Sequence, residues 1–234
     1  MRLNPEKIRT TIRKNTATSY GLTLAIGLPF PDEIRDQIQR LQEELEILAP
    51  GRFTCYGRDH LHTTLFAPVR GRYREGPPLQ RDELPADVQG FACDLGDFFT
   101  QCQPFSLDLA GVRLTEEGLV VVSENTLTQQ LAARLRGHPE LDLPKHSKGL
   151  HVVIGYLTQP FFSEEQQMRF TEGLASFTDI SVGSTTIRKI RLVHYANRTL
   201  NRIIGQVSFT LGDPNPLTAE RLLQHLGIAG VNPP

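Results

Sequence analysis

The chain has 234 residues, with Lys+Arg 25 against Asp+Glu 26 and a formal net charge of −1. That balance excludes the broad basic field that grips long duplex nucleic acid by its phosphates, and leaves small ligands and nucleic-acid ends as partners. Cys55, Cys93 and Cys102 are odd in number and lack C-x-x-C spacing, which argues against a disulfide framework or a cysteine zinc site and fits a reducing cytoplasm.

Residues 1–19, MRLNPEKIRTTIRKNTATS, carry charge but no apolar signal core, and no apolar run reaches the ~18 residues of a membrane span. A soluble, cytoplasmic protein without a membrane partner is expected. The stretch YGLTLAIGLP then alternates Leu22, Leu24, Ile26 and Leu28 with smaller residues, the period of a strand. In PDEIRDQIQRLQEELEIL the period changes, and Ile34, Ile38, Leu41, Leu45 and Leu48 fall on one helical face that stops at APG. HLHTTLF, from His60, is short, β-branched and strand-like.

Residues 70–90 are rich in Arg, Pro and Gly without a sustained apolar period, and read as a surface loop. FSLDLAGVRL and GLVVVS flank TEEG as a hairpin, and TLTQQLAARLRG spaces Leu127, Leu131 and Leu135 for a helix ending at Gly137. LHVVIGYL is a second histidine strand, followed by a helix that Ser163 and Gln166 open as a capping box, with Phe170, Leu174 and Phe177 as its buried stripe. TTIRKIRLVHY and RIIGQVSFTL read as an antiparallel pair, and a short helix from NP to Gly227 closes the chain. Length leaves one domain or two open. One α+β domain over residues 1–234 is adopted, in which each half contributes a strand, an amphipathic helix and a histidine strand.

Side chains two apart on a strand share a face, so His62 and Thr64 point together while Leu61, Thr63 and Leu65 point away. His151 shares its face with Val153 and Gly155, in a run apolar enough to suggest burial on both sides. Two imidazoles meeting at one cleft suit displacement at a phosphodiester: a neutral ring takes a proton from the attacking oxygen while a protonated ring gives one to the leaving oxygen. With an ordinary pKa of ~6.5, histidine occupies either state near neutrality. A hydroxyl beside the ring would hold negative charge on a non-bridging oxygen.

HTTL at His62 to Leu65 and HVVIGYL at His151 to Leu157 resemble the paired H-x-T/S motifs of the two-histidine (2H) phosphoesterases, which include 2'-5' RNA ligase-like proteins and cyclic phosphodiesterases. The resemblance implies a pseudo-twofold α+β fold, with two lobes of antiparallel sheet around a central cleft and helices outside. It also implies metal-independent cleavage, without a cofactor, of 2',3'-cyclic or 2'-5' phosphodiester bonds of a small nucleotide or RNA end, or the reverse ligation. By that likeness His62 and His151 are the acid and base pair and Thr64 the phosphate-oxygen donor. Val153 departs from the pattern, standing where a second hydroxyl donor belongs. A weakened enzyme fits this departure, and so does a non-catalytic nucleotide- or RNA-end-binding module of the same fold.

His60 shares the His62 face if the strand reaches that far, which would allow a two-imidazole metal site; no other cluster has ligand spacing, so no metal is expected. Arg58 has the same parity, but a turn before the strand would break its register. Arg70 to Arg74 interleave charge with Tyr73, a pattern that could stack a base and more often marks a solvated loop. His194, Tyr195 and Lys148 have no spacing argument behind them.

Overall fold

The computed structural model describes residues 4–73, 78–115, 118–123, 126–138, 141, 150–158 and 163–228. The first part of the chain forms α1 (Pro5–Thr16), β1 (Ser19–Ile26), α2 (Asp32–Leu48), β2 (Phe53–Cys55), β3 (Thr63–Tyr73) and α3 (Val88–Gln101). The second part forms β4 (Phe105–Thr115), β5 (Gly118–Ser123), α4 (Leu127–Arg134), β6 (Leu150–Leu157), α5 (Glu164–Leu174), β7 (Ser181–Ile187), β8 (Lys189–Tyr195), β9 (Ile203–Thr210) and α6 (Ala219–Leu226). The nine strands make one open antiparallel sheet in the order β7-β4-β5-β6-β3-β1-β8-β9, with β2 added beside β6. This is the two-lobed α+β arrangement that the motif resemblance implies. One lobe, β7-β4-β5-β6, comes from the middle of the chain, and the other, β3-β1-β8-β9, from its two ends. They join where Thr63 of β3 pairs with Val152 of β6.

Helices cover one face of this sheet. On α2, Ile34, Ile38, Leu41 and Leu45 recur at helical spacing and are all buried, while Asp32 and Glu33 in its first turn oppose the positive end of the helix dipole. Leu22, Leu24 and Ile26 of β1, Val152 and Ile154 of β6, and Ile190 and Leu192 of β8 meet the helices in a single core. Each such side chain contributes up to about 1.5–3 kcal/mol relative to exposure. The Thr218 hydroxyl caps α6 by accepting the Arg221 N–H at 3.2 Å, and Gly227, at φ +64°, ends it by donating to the Gln224 carbonyl at 3.1 Å. Among the described residues no helix is long and apolar enough to cross a membrane.

Several elements differ from the sequence reading. The stretch read as a surface loop is partly structured: β3 extends to Tyr73, Leu79 and Leu84 are buried, and α3 begins at Val88 behind an Asp87 cap. TTIRKIRLVHY is two strands, because the chain breaks at Arg188. β7 pairs with β4 at one edge of the sheet, whereas β8 pairs with β1 and β9 in the other lobe. The predicted pairing of β8 with β9 holds. The closing helix starts at the Thr218 cap and not at the NP dipeptide.

Thr63, on the helix-facing side of the junction, is 0% exposed, and among the described residues its hydroxyl has no hydrogen-bond partner. A buried hydroxyl without a partner costs about 1–3 kcal/mol. Valine has the same shape without that group, so Thr63→Val is expected to raise stability by about 1 kcal/mol. A urea titration checks this, and a lower midpoint would mean that the hydroxyl has a partner after all.

Candidate active site

The site forms on the face of the sheet opposite the helical core, where the lobes meet; farther out on this face Ala25, Leu28, Val193, Tyr195 and Leu200 form a second buried cluster. Antiparallel pairing of Thr63 with Val152 sets His62 across from Val153 and Thr64 across from His151, since neighbouring positions step in opposite directions. The two histidines are then diagonal neighbours, about 7–8 Å apart in a regular ladder and somewhat closer between Cβ atoms. The alternation holds at the start of β3: Thr64 is exposed and His62, one residue before the strand, is buried but keeps 9% exposure, while Leu61, Thr63 and Leu65 are at 2% or less. On β6 the sequence reading needs correction. His151 and Val153 are half-buried while Leu150, Val152 and Ile154 are sealed, so this stretch of the strand shows one face to the cleft.

His62 is held by its backbone surroundings. Its Nδ1 lies 2.8 Å from the His60 carbonyl oxygen; a carbonyl only accepts, so Nδ1 carries the proton and donates. Nε2 is left with a lone pair for the cleft. Burial pushes the His62 imidazole down to about 4, opposed by the bond to the His60 carbonyl and assisted by the positive charges of His151 and His60. The influence of His151 shows that the two rings lie within electrostatic reach of each other. His62 is therefore neutral at pH 7, with its proton on Nδ1.

A pair of tyrosines lies beside His62, and sequence spacing gave no sign of them. The Tyr56 ring is buried, 6.0 Å from the His62 ring and 6.1 Å, edge to face, from Tyr156. The Tyr56 N–H donates to the Ile154 carbonyl at 3.0 Å. The Gln42 amide of α2 donates to the carbonyls of Tyr56 at 3.0 Å and Ile154 at 2.7 Å. The loop before β3 is thereby stitched to β6, which fixes the lobes' relative position at the histidines.

His60 belongs to a 3-10 turn, Arg58–His60, and not to the strand, so it offers the site its carbonyl. The same turn removes Arg58 from the site. Arg58 pairs with Asp32 at 2.6 Å and Asp36 at 2.7 Å, and Asp32 also binds Arg35 at 2.6 Å. Among the described residues no group of three or more His, Cys, Asp or Glu is arranged to hold a metal ion. His194 is 0% exposed and structural: Nδ1 donates to the Leu226 carbonyl at 2.8 Å, and Nε2 accepts the Leu79 N–H at 3.4 Å. The side chains of Arg70 to Arg74, and Lys148, lie outside the described residues.

The depressed His62 value also bears on stability. Between about pH 6.5 and pH 4 the unfolded chain takes up this proton and the folded chain does not. The His62 contribution is therefore intact above pH 6.5 and declines by up to about 3 kcal/mol as pH falls through the folded value. His62→Gln, with no proton to gain, is expected to narrow its stability deficit against wild type between pH 7 and pH 4.5. Urea unfolding at both values measures this, and an unchanged deficit would rule out a depressed imidazole.

No protein-family model and no curated protein matches the sequence. Solved structures do. TT0787 of Thermus thermophilus aligns with a TM-score of 0.56 at 16% identity, covering 82% of this chain and 98% of its own. The fold is shared. ATU0111 of Agrobacterium tumefaciens str. C58, a conserved protein of unknown function, aligns with a TM-score of 0.57 at 15% identity, over 86% of this chain and 89% of its own. E. coli LigT in apo form superposes more loosely, with a TM-score of 0.49 at 18% identity over 83% and 99% of the two chains. At such identities the likeness is one of fold.

Proposed function

We propose that this chain is a metal-independent phosphodiesterase of the two-histidine type, a single domain acting on a 2',3'-cyclic phosphate or a 2'-5' phosphodiester of a small nucleotide or RNA end. The observation that carries this reading is the pair itself: His62, one residue before β3, and His151 of the adjoining β6 lie within electrostatic reach, and His62 is held neutral. His62 Nε2 takes the proton from the attacking hydroxyl or water, and protonated His151 delivers one to the leaving oxygen. Thr64, exposed across from His151, donates to a non-bridging oxygen as charge builds there. Tyr56 and Tyr156 supply aromatic wall, and Tyr56 also limits water at the base.

A second reading, a binding module of the same fold, is favoured by Val153, which leaves the motif one donor short. Turnover separates the two. The enzyme is expected to hydrolyse 2',3'-cyclic nucleotides or 2'-5' dinucleotides at a rate unaffected by EDTA. Tight binding of these compounds with no hydrolysis would establish the module, and loss of activity on chelation would refute the metal-independent mechanism.

A further inference from the structure

The sheet places an arginine at the same step from the motif in each lobe. In the middle lobe Val153 pairs with Val120 of β5, and Val120 with Arg113 of β4. In the other, Thr64 pairs with Ala25 of β1, and Ala25 with Arg191 of β8. Directly paired residues of a sheet share a face, so both arginines lie on the face that carries the histidines. Each stands two strands outward from the third motif position, and their local sequences, GVRL and KIRL, echo each other. Arg113 is exposed and Arg191 half-buried. Among the described residues neither guanidinium has an ion-pair or hydrogen-bond partner, in contrast to Arg35, Arg58 and Arg134, which are tied to carboxylates.

Neighbouring strands are about 4.7–4.9 Å apart, which puts each arginine backbone about 9–10 Å from the motif residue of its own lobe. The intervening residues, Val120 at 3% exposure and Ala25 at 1%, are sealed and apolar, so neither side chain offers a competing donor. That separation suits the phosphate one nucleotide away from the reacting one. Guanidinium binds phosphate through two parallel N–H donors.

We propose that Arg113 and Arg191 are two outer phosphate seats, one on each side of the histidine pair, and that the preferred substrate is an oligonucleotide whose reacting phosphodiester has a phosphate neighbour on both sides. The seats rest on the catalytic reading only for where the reacting phosphate lies. A terminal cyclic phosphate can fill at most one of them, because the chain ends there; an internal 2'-5' linkage fills both.

The test measures binding in a His62→Ala background, so that no probe is cleaved. The probes are a fluorescent 2'-5'-linked tetranucleotide, with phosphates flanking its central linkage, and the corresponding dinucleoside monophosphate, with none. Arg113→Ala and Arg191→Ala are each expected to weaken the tetranucleotide about tenfold or more, to lower its salt slope by about 0.7, and to leave the dinucleoside monophosphate within twofold. Arg113→Lys, which keeps the charge but not the paired donors, should bind the tetranucleotide between Arg113→Ala and the parent while keeping the parent's salt slope. Equal weakening of both probes would move the arginines to the reacting phosphate and overturn the proposal. Unchanged tetranucleotide binding in either variant, or no tetranucleotide binding by the parent, would overturn it as well. Because no turnover is read, an inactive wild type that shows the expected pattern keeps the seats and refutes only the catalytic reading; an active enzyme whose binding ignores both arginines does the reverse.

Discussion

Alanine at His62 is expected to lower kcat on the best phosphodiester by about 10²–10⁴-fold, the range that a positioned general base contributes. The prediction follows from three features of one ring: Nδ1 is committed to the His60 carbonyl, Nε2 is free to accept, and burial keeps the ring unprotonated. His151→Ala should cost about as much, and the double variant little more than either single one, since two groups acting in one proton relay do not add. The pH profile supplies a check that a purely structural histidine would not affect. The acid limb of kcat/KM is expected near pH 4, well below the ordinary imidazole value, because activity requires His62 neutral and it is protonated only below its depressed pKa. His62→Gln keeps a polar side chain of similar reach and guards against misfolding as the explanation. Wild-type kcat in a folded His62→Gln protein would remove this residue from the chemistry.

The histidine pair was legible because a strand's period is short and strict. Once HTTL and HVVIGYL are taken as strands, the face of every side chain follows, and Thr64 and Val153 fall beside their histidines without further information. Burial was less legible. The apolar run around His151 suggested a strand sealed on both faces, whereas Val153 is half-buried because the lobes part beyond the junction at Thr63 and Val152. The role of His60 was hidden by a single 3-10 turn, which converts a side-chain candidate into a carbonyl acceptor. The α3 helix carried a signal in Phe91, Leu95 and Phe98, but Gly90 and Gly96 interrupt it. The break at Arg188 leaves no composition change, and only pairing shows that β7 and β8 belong to different lobes. Arg113 and Arg191 depend on pairing even more: each becomes a neighbour of the motif only through an intervening strand, and no spacing rule within the chain links them.

Restoring the absent hydroxyl with Val153→Thr is expected to raise kcat by about tenfold or more, up to roughly 150-fold, because a hydrogen bond to a charged oxygen is worth about 1.5–3 kcal/mol. Several features make this position suitable. Val153 lies across from His62 by the junction register, on the cleft face and half-buried, so a threonine hydroxyl there has either substrate or water as partner and is not stranded in the core. Valine and threonine are both β-branched and equally at home in a strand, so β6 keeps its pairing with β5. The expected gain appears in kcat more than in KM, since charge on the non-bridging oxygen grows toward the transition state and a donor aimed at it discriminates between the two states. Thr64→Val supplies the mirror experiment and should cost a similar factor, leaving a chain with no motif hydroxyl on either lobe. Single-turnover rates on one substrate for wild type, Val153→Thr, Thr64→Val and the double exchange would measure both donors and their coupling. If Val153→Thr folds normally and leaves the rate unchanged while Thr64→Val is severely impaired, the phosphate takes its hydrogen bond from the β3 side alone, and the valine reflects a site that never needed a second donor.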